Sequence, residues 1–218
     1  MPKVSEDYRI KKKEEILCAA ASVLKNKTLY EISMTDVIRE IGISKGGIYL
    51  YYKDIDELLI DLMDREFKAD NFRDRIDSLT NGQYQVGILI SKLFQLYALY
   101  LNESSVLAGK MQFELTILLT QNRERALRIR EKVSIRETGT YFNLKIAEII
   151  RSSLGDEPRE QEKAKNIINY IQCFLDGILE IYVLERCYQF NEVHVDLKEM
   201  MEMLSKNVSY MLKEASIQ

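Results

Sequence analysis

Apolar residues recur at helical spacing along most of the chain. Ile16, Ala19, Ala20, Val23 and Leu24 share one face and predict a first helix over about 11–25. Ser33, with Asp36 three residues on, makes a capping box for a second helix whose apolar stripe is Val37, Ile38 and Ile41. Gly42 supplies a residue that tolerates positive φ at its end. Ser44 then caps a short helix carrying Ile48, Tyr49, Leu50, Tyr51 and Tyr52. Beyond Lys53 the pattern lengthens. Asp54 or Asp56 opens a helix through Leu58, Leu59, Leu62, Met63 and Phe67, and Thr80, Asn81 and Gly82 mark a break. Further helices are predicted over about 84–102, 104–119, 122–154, 159–188 and 195–213. Two prolines and nine glycines in 218 residues leave few interruptions, so an all-α fold is expected.

Composition narrows the class. Hydrophobic residues make up 46% and charged residues 30%, as in a globular chain. The formal net charge of -3 excludes a uniformly basic nucleic-acid binder. It does not exclude a basic patch, and Lys11, Lys12 and Lys13 stand together near the N-terminus. Cys18, Cys173 and Cys187 are odd in number, widely spaced and without a CxxC pair. They read as small apolar residues buried in helices rather than as disulfide or zinc ligands. The sole histidine, His194, lies in a predicted loop with no fixed partner in sequence. No nucleophile motif, phosphate-cradling loop or metal-ligand spacing appears, so no enzyme activity, cofactor or metal is expected. No signal-like core and no stretch long enough to span a bilayer is read, and a cytoplasmic location is expected.

The segment from Ser33 to Tyr52 is two short helices joined by a three-residue turn. On spacing alone it is either an ordinary helical hairpin or a helix-turn-helix whose second helix enters a major groove. The surrounding residues favour the second. From Ile16, Ala19 and Ala20, through Gly42-Ile43-Ser44-Lys45-Gly46-Gly47-Ile48-Tyr49-Leu50-Tyr51-Tyr52, to Asp56-Glu57-Leu58-Leu59, the chain resembles the TetR family of bacterial repressors. Asp176-Gly177-Ile178 is similar to a short signature in that family's penultimate helix. The resemblance implies a three-helix DNA-binding domain over 1–53 and a helical ligand-binding and dimerisation domain over 54–218. Thr35, Ser44, Lys45, Gly46, Gly47, Tyr49, Leu50, Tyr51 and Lys53 are the implied DNA contacts, and Tyr52 is assigned to the core. Small Gly46 and Gly47 allow close approach, Lys45 reaches phosphate or guanine, and Leu50 meets a thymine methyl. Lys11, Lys12 and Lys13 read as phosphate or minor-groove contacts. The chain departs from the family pattern at Leu24, Thr28, Met34 and Ile38. Ile55 stands where the family commonly carries a phosphate-contacting lysine, and Lys53 is the candidate to replace it.

In the C-terminal half, Leu197, Met201, Leu204, Val208 and Met211 follow steps of four, three, four and three, an a/d seam. The helix before it is apolar nearly all round, and Phe174, Ile178 and Ile181 join the expected dimer interface. Aromatic and methionine residues of the middle helices suggest an apolar pocket, with Phe94, Tyr97, Met111, Tyr141, Tyr170 and Phe174 as its lining. Glu114 and Glu180 lie in apolar stripes. Each is expected either to sit in an internal ion pair or at an edge, or to receive a cationic ligand, and Glu114 is taken as a pocket residue. The implied partners are a palindromic DNA operator, a small apolar or cationic effector and a second copy of the chain, with no membrane. The other reading is a helical ligand-binding or protein-interaction module with a degenerate helix-turn-helix.

Overall fold

The computed structural model describes residues 5–66, 71–103, 105–133, 135–190 and 192–213, the side chains of 135–138 excepted, so Phe67, expected in the helix after Lys53, lies outside the described residues. Among the described residues there are eleven helices and no strand. They form two compact units, Met1–Lys68 with Ser105–Ile135, and Ala69–Ser104 with Arg136–Gln218.

The first unit holds α1 (Glu6–Leu24), α2 (Met34–Ile41), α3 (Lys45–Ile48), α4 (Ile55–Glu66), α7 (Val106–Gln121) and α8 (Arg123–Lys132). Local chemistry sets most of these ends. The Ser5 hydroxyl accepts from Tyr8 N–H at 3.3 Å, and α1 begins there, earlier than expected. The capping box at α2 is complete: Ser33 Oγ accepts from Asp36 N–H at 3.3 Å, and Asp36 Oδ2 accepts from Ser33 N–H at 3.0 Å. Gly42 ends α2 with φ +73°, a conformation that disfavours any residue with a Cβ. Ser44 Oγ accepts from Gly47 N–H at 3.1 Å and starts α3.

One hydrophobic core runs through this unit. Ile16, Leu24, Val37, Ile48, Leu58 and Leu62 of the N-terminal helices are fully buried with Met111, Leu118, Ala126 and Ile129 of α7 and α8. The segment 1–53 therefore shares its core with α4, α7 and α8 rather than closing on itself at residue 53.

The second unit holds α5 (Phe72–Thr80), α6 (Val86–Glu103), α9 (Ile135–Leu154), α10 (Pro158–Tyr188) and α11 (Leu197–Lys213). The stretch expected as one helix over 122–154 is two, because Val133 turns extended at φ -80°, ψ 129°. The apolar spacing of Ala126, Ile129 and Val133 runs through that turn and hides it, since Val133 is itself buried. α5 is a separate element that the pattern did not resolve. α11 packs lengthwise on α6. A Cβ on Gly87 would come within 3.2 Å of Ser209 Oγ, so glycine there permits the close approach.

Three expectations need correcting. None of the cysteines is buried: Cys18 and Cys173 are exposed and Cys187 is intermediate, because each lies off the packed face of its helix. Leu197, Met201, Leu204 and Val208 are buried within their own chain, in the unit where α11 packs on α6. α10 is also long and apolar enough, by length and composition, to cross a bilayer, although Asp176 and Glu180 interrupt it.

Candidate nucleic-acid interface

The α2–turn–α3 segment is fixed from behind and open in front. Behind it, Ile48 is fully buried and Tyr52 is 1% exposed. The Tyr52 hydroxyl donates to Asp61 of α4, and Lys13 of α1 both binds Asp61 at 3.0 Å and lies over the Tyr52 ring. Burial, reinforced by the Asp61 charge, pushes the Tyr52 phenol up. At the start of α2, Lys27 Nζ lies 2.7 Å from Asp36 Oδ1. That cation first, and the Ser33 hydrogen bonds second, hold the Asp36 carboxyl down at about 2.

In front, Thr35, Ser44, Lys45, Gly46 and Lys53 are exposed. Tyr49 is 44% exposed and Leu50 75%. An apolar side chain so far into solvent, next to two glycines, has no packing role within the chain. Gly47 is intermediate, and Tyr51 leans against the core, which leaves only part of it outward. Lys53 N–H donates to Glu57 Oε2 at 2.8 Å, so the backbone of this residue helps start α4 while its side chain stays outside. Ile55 is partly buried against the core. Lys12 pairs with Glu15 at 2.8 Å and Lys13 with Asp61, so both carry carboxylate partners.

Sequence reasoning missed α7 and α8 as part of this site. Asp56, second in α4, accepts from Arg125 Nε at 2.8 Å and from Arg128 Nη2 at 2.7 Å. Glu114 Oε2 accepts from Leu29 N–H at 2.8 Å, while its other oxygen lies 2.7 Å from Lys110 Nζ. The carboxylate of Glu114 is thus engaged inside the first unit, because a buried charge needs partners, and it stands in an internal ion pair. The only trace in the sequence was the i,i+4 spacing of Lys110 and Glu114 on a helix face.

The expected pocket residues divide between the units. Met111 and Glu114 belong to the first unit's interior. Phe94, Tyr97, Tyr141, Tyr170 and Phe174 belong to the second. There the rings form a cluster: Phe72 stacks on Tyr100 at 4.2 Å, and Tyr97 on Phe142 at 5.2 Å. Tyr141 donates to Asp77 and carries the Arg73 guanidinium 5.3 Å over its ring. Tyr170 and Phe174 face each other at 6.2 Å on α10. Glu180 is exposed.

The expected interface residues divide as well. Phe174, Ile181 and Met211 are only partly covered, whereas Ile178, Leu197, Met201, Leu204 and Val208 are buried in their own chain. A second stripe on α11 faces out instead. Met200, Met203, Asn207 and Tyr210 follow steps of three, four and three, with Met203 47% and Tyr210 63% exposed. Asn207 donates to Tyr170 Oη at 3.0 Å, which joins this stripe to the half-exposed face of α10.

Residues 16–62 match the family described as "Bacterial regulatory proteins, tetR family". The chain is 32% identical over 124 residues to the uncharacterized HTH-type transcriptional regulator YfiR of Bacillus subtilis, a match covering 57% of this chain and 59% of that protein. Its fold is similar to that of the fatty acid degradation regulator FadR from Bacillus halodurans, with TM-score 0.59 and 19% identity over 94% of this chain and 96% of that one. It is also similar to Thermus thermophilus FadR in complex with lauroyl-CoA, with TM-score 0.50 and 16% identity over 94% and 95%.

Proposed function

The chain belongs, through residues 16–62, to the tetR family of bacterial regulatory proteins, and on that premise we propose that it is a dimeric, ligand-responsive repressor that reads a palindromic operator. It is a transcriptional regulator and not an enzyme. The observation that carries the DNA reading is the head itself. Ile48 and Tyr52 anchor α3 and its exit, while Lys45, Gly46, Tyr49 and Leu50 stand outward on one short segment. Lys45 and the tyrosine hydroxyls supply donors for phosphate and base edges, and Leu50 supplies an apolar contact. Thr35, Ser44, Gly47, Tyr51 and Lys53 complete the proposed surface.

A dimer suits two half-sites one helical turn apart. We place its contact on the outward faces of α10 and α11, through Phe174, Ile181, Met203 and Tyr210, because the seam from Leu197 to Val208 is taken within the chain. The effector is apolar and lies against the ring cluster of the second unit. The cationic alternative loses its main support, since Glu114 already has Lys110 and Leu29 as partners. Acyl chains are the first class to test, because a regulator of similar fold is complexed with lauroyl-CoA. Effector and operator oppose each other by linkage, with coupling on the order of 1–3 kcal/mol.

Selection of duplexes from a random pool tests the reading. Enrichment of an inverted repeat, with affinity falling steeply as salt rises, is expected. No enrichment over the input pool favours the interaction-module reading instead. Challenge of the selected complex with acyl and aromatic compounds should release the DNA.

A further inference from the structure

Lys110 and Glu114 stand one turn apart on α7, with side chains 7% and 5% exposed. A pair this desolvated gains little over apolar residues of equal volume, so stability alone is a weak reason for it. What sets it apart is where both partners reach. Lys110 Nζ donates to the Lys27 carbonyl at 2.8 Å, and Glu114 Oε2 accepts from Leu29 N–H at 2.8 Å. Both bonds end on the connection between α1 and α2, more than eighty residues away in sequence. The same Lys27 donates through its side chain to Asp36, and Asp36 closes the capping box on Ser33. Whatever fixes Lys27 to Leu29 therefore fixes the start of α2.

A second clamp closes on the other side of the reading segment. Asp56, at the start of α4, is 9% exposed and takes one guanidinium nitrogen from Arg125 and one from Arg128, both on α8. α2 and α4 flank the turn and α3. Each is held near its N-terminus by charged side chains of the α7–α8 segment, which lies in the same compact unit.

We propose that α7 and α8 brace the reading head, and that Lys110, Glu114, Asp56 and Arg125 are positioning residues that set the angle at which α3 meets DNA. None of the four contacts DNA itself; they act through the backbone at Lys27 and Leu29 and through the entry of α4. A head held in its bound orientation loses less freedom on binding, so the brace raises affinity without adding a contact. The inference rests on the DNA-reading proposal above.

The test is the double variant Lys110→Met with Glu114→Gln. It removes both charges at nearly constant volume, keeps an acceptor for Leu29 N–H and deletes the bond to Lys27. Asp56→Asn tests the second clamp independently, and serves if the double variant does not fold. Thermal unfolding, operator affinity at a temperature where each protein is fully folded, and the slope of log affinity against log salt are measured. We expect operator affinity to fall at least about tenfold in the folded variants with the salt slope unchanged, because no phosphate contact is lost. A lowered melting temperature with unchanged affinity of the folded protein overturns the inference, since that is a purely structural role. A reduced salt slope also overturns it, because the residues would then touch phosphate. If the wild-type chain binds no selected duplex, the DNA-reading proposal fails and takes the brace with it. Wild-type binding with unaltered variants removes the brace alone.

Discussion

The Tyr52 hydroxyl donates to Asp61 Oδ2 at 3.1 Å, tying the segment that follows α3 to the middle of α4. Lys13 of α1 binds the same oxygen at 3.0 Å and lies 5.0 Å from the Tyr52 ring centroid. α1, α4 and the segment that follows α3 thus meet at one carboxylate directly behind the exposed face.

Tyr52→Phe should remove that hydrogen bond and leave the packing. A loss of about 0.5–1.5 kcal/mol is expected at neutral pH. The phenol is raised in the folded state by burial and by Asp61, so the unfolded chain loses its proton first as pH climbs. The tyrosine's contribution is therefore full below about pH 10, the ordinary tyrosine value, and declines above it. Urea unfolding of wild type and variant at pH 8 and pH 10.5 should show the gap narrowing. A gap constant across that range counts against the assignment.

Asp36→Asn should weaken α2. The Lys27 pair and, after it, the capping box hold its carboxyl at about 2, against an ordinary value of 3.8. The sign is that of a depressed acid: its stabilisation is complete above about pH 4 and disappears as pH falls through about 2. A loss of roughly 1 kcal/mol at pH 7 is expected, allowing for partial solvent screening. The difference between variant and wild type should shrink towards pH 2 in a denaturation series.

Gly46→Ala separates the DNA face from the fold. Nothing lies within 4 Å of where its Cβ would sit, and its φ is not in the left-handed region. The free protein should therefore be unchanged or more stable, by up to about 1 kcal/mol from reduced chain entropy. Operator affinity should fall, because a Cβ there intrudes on a partner that approaches the backbone closely. Leu50→Ala should likewise leave melting unchanged and weaken binding. Full affinity in both variants would move the DNA face elsewhere.

Much of the head was legible because its signals are local. Ser33 with Asp36, Gly42 and Ser44 each act within three or four residues, and each does in the structure what its spacing predicts. Tyr52 was read as core and is buried. What the sequence hid is long-range. The bond from Glu114 to Leu29 spans 85 residues, and nothing in either segment marks the other. The a/d spacing from Leu197 to Met211 correctly marked a helix with a buried stripe, but periodicity does not say whether a stripe is covered by the same chain or by another. α6 covers it here, and the less regular Met200, Met203, Asn207 and Tyr210 are left outside.

That exchange of faces gives the prediction for assembly. Leu204 is fully buried within the chain, so Leu204→Lys places an ammonium where no partner has been provided for it. It should unfold the second unit, at a cost above about 4 kcal/mol, and its effect on association would then be indirect. Ile181 is half-buried in the isolated chain and lies on α10, the helix that Asn207 of the outward α11 stripe touches at Tyr170. Ile181→Lys can keep its ammonium in solvent as a monomer, and only pairing of two copies across this face would force desolvation and bring like charges together. The circular dichroism and helix content of Ile181→Lys should therefore match wild type, while sedimentation shows a monomer where wild type is a dimer at micromolar concentration. Affinity for an inverted repeat should fall towards that for a single half-site, because the two heads no longer bind as one body. Tyr210→Glu, at the far end of the same stripe, should act in the same direction. A wild-type chain that sediments as a monomer, or an Ile181→Lys variant that remains a dimer, would place the interface off this face.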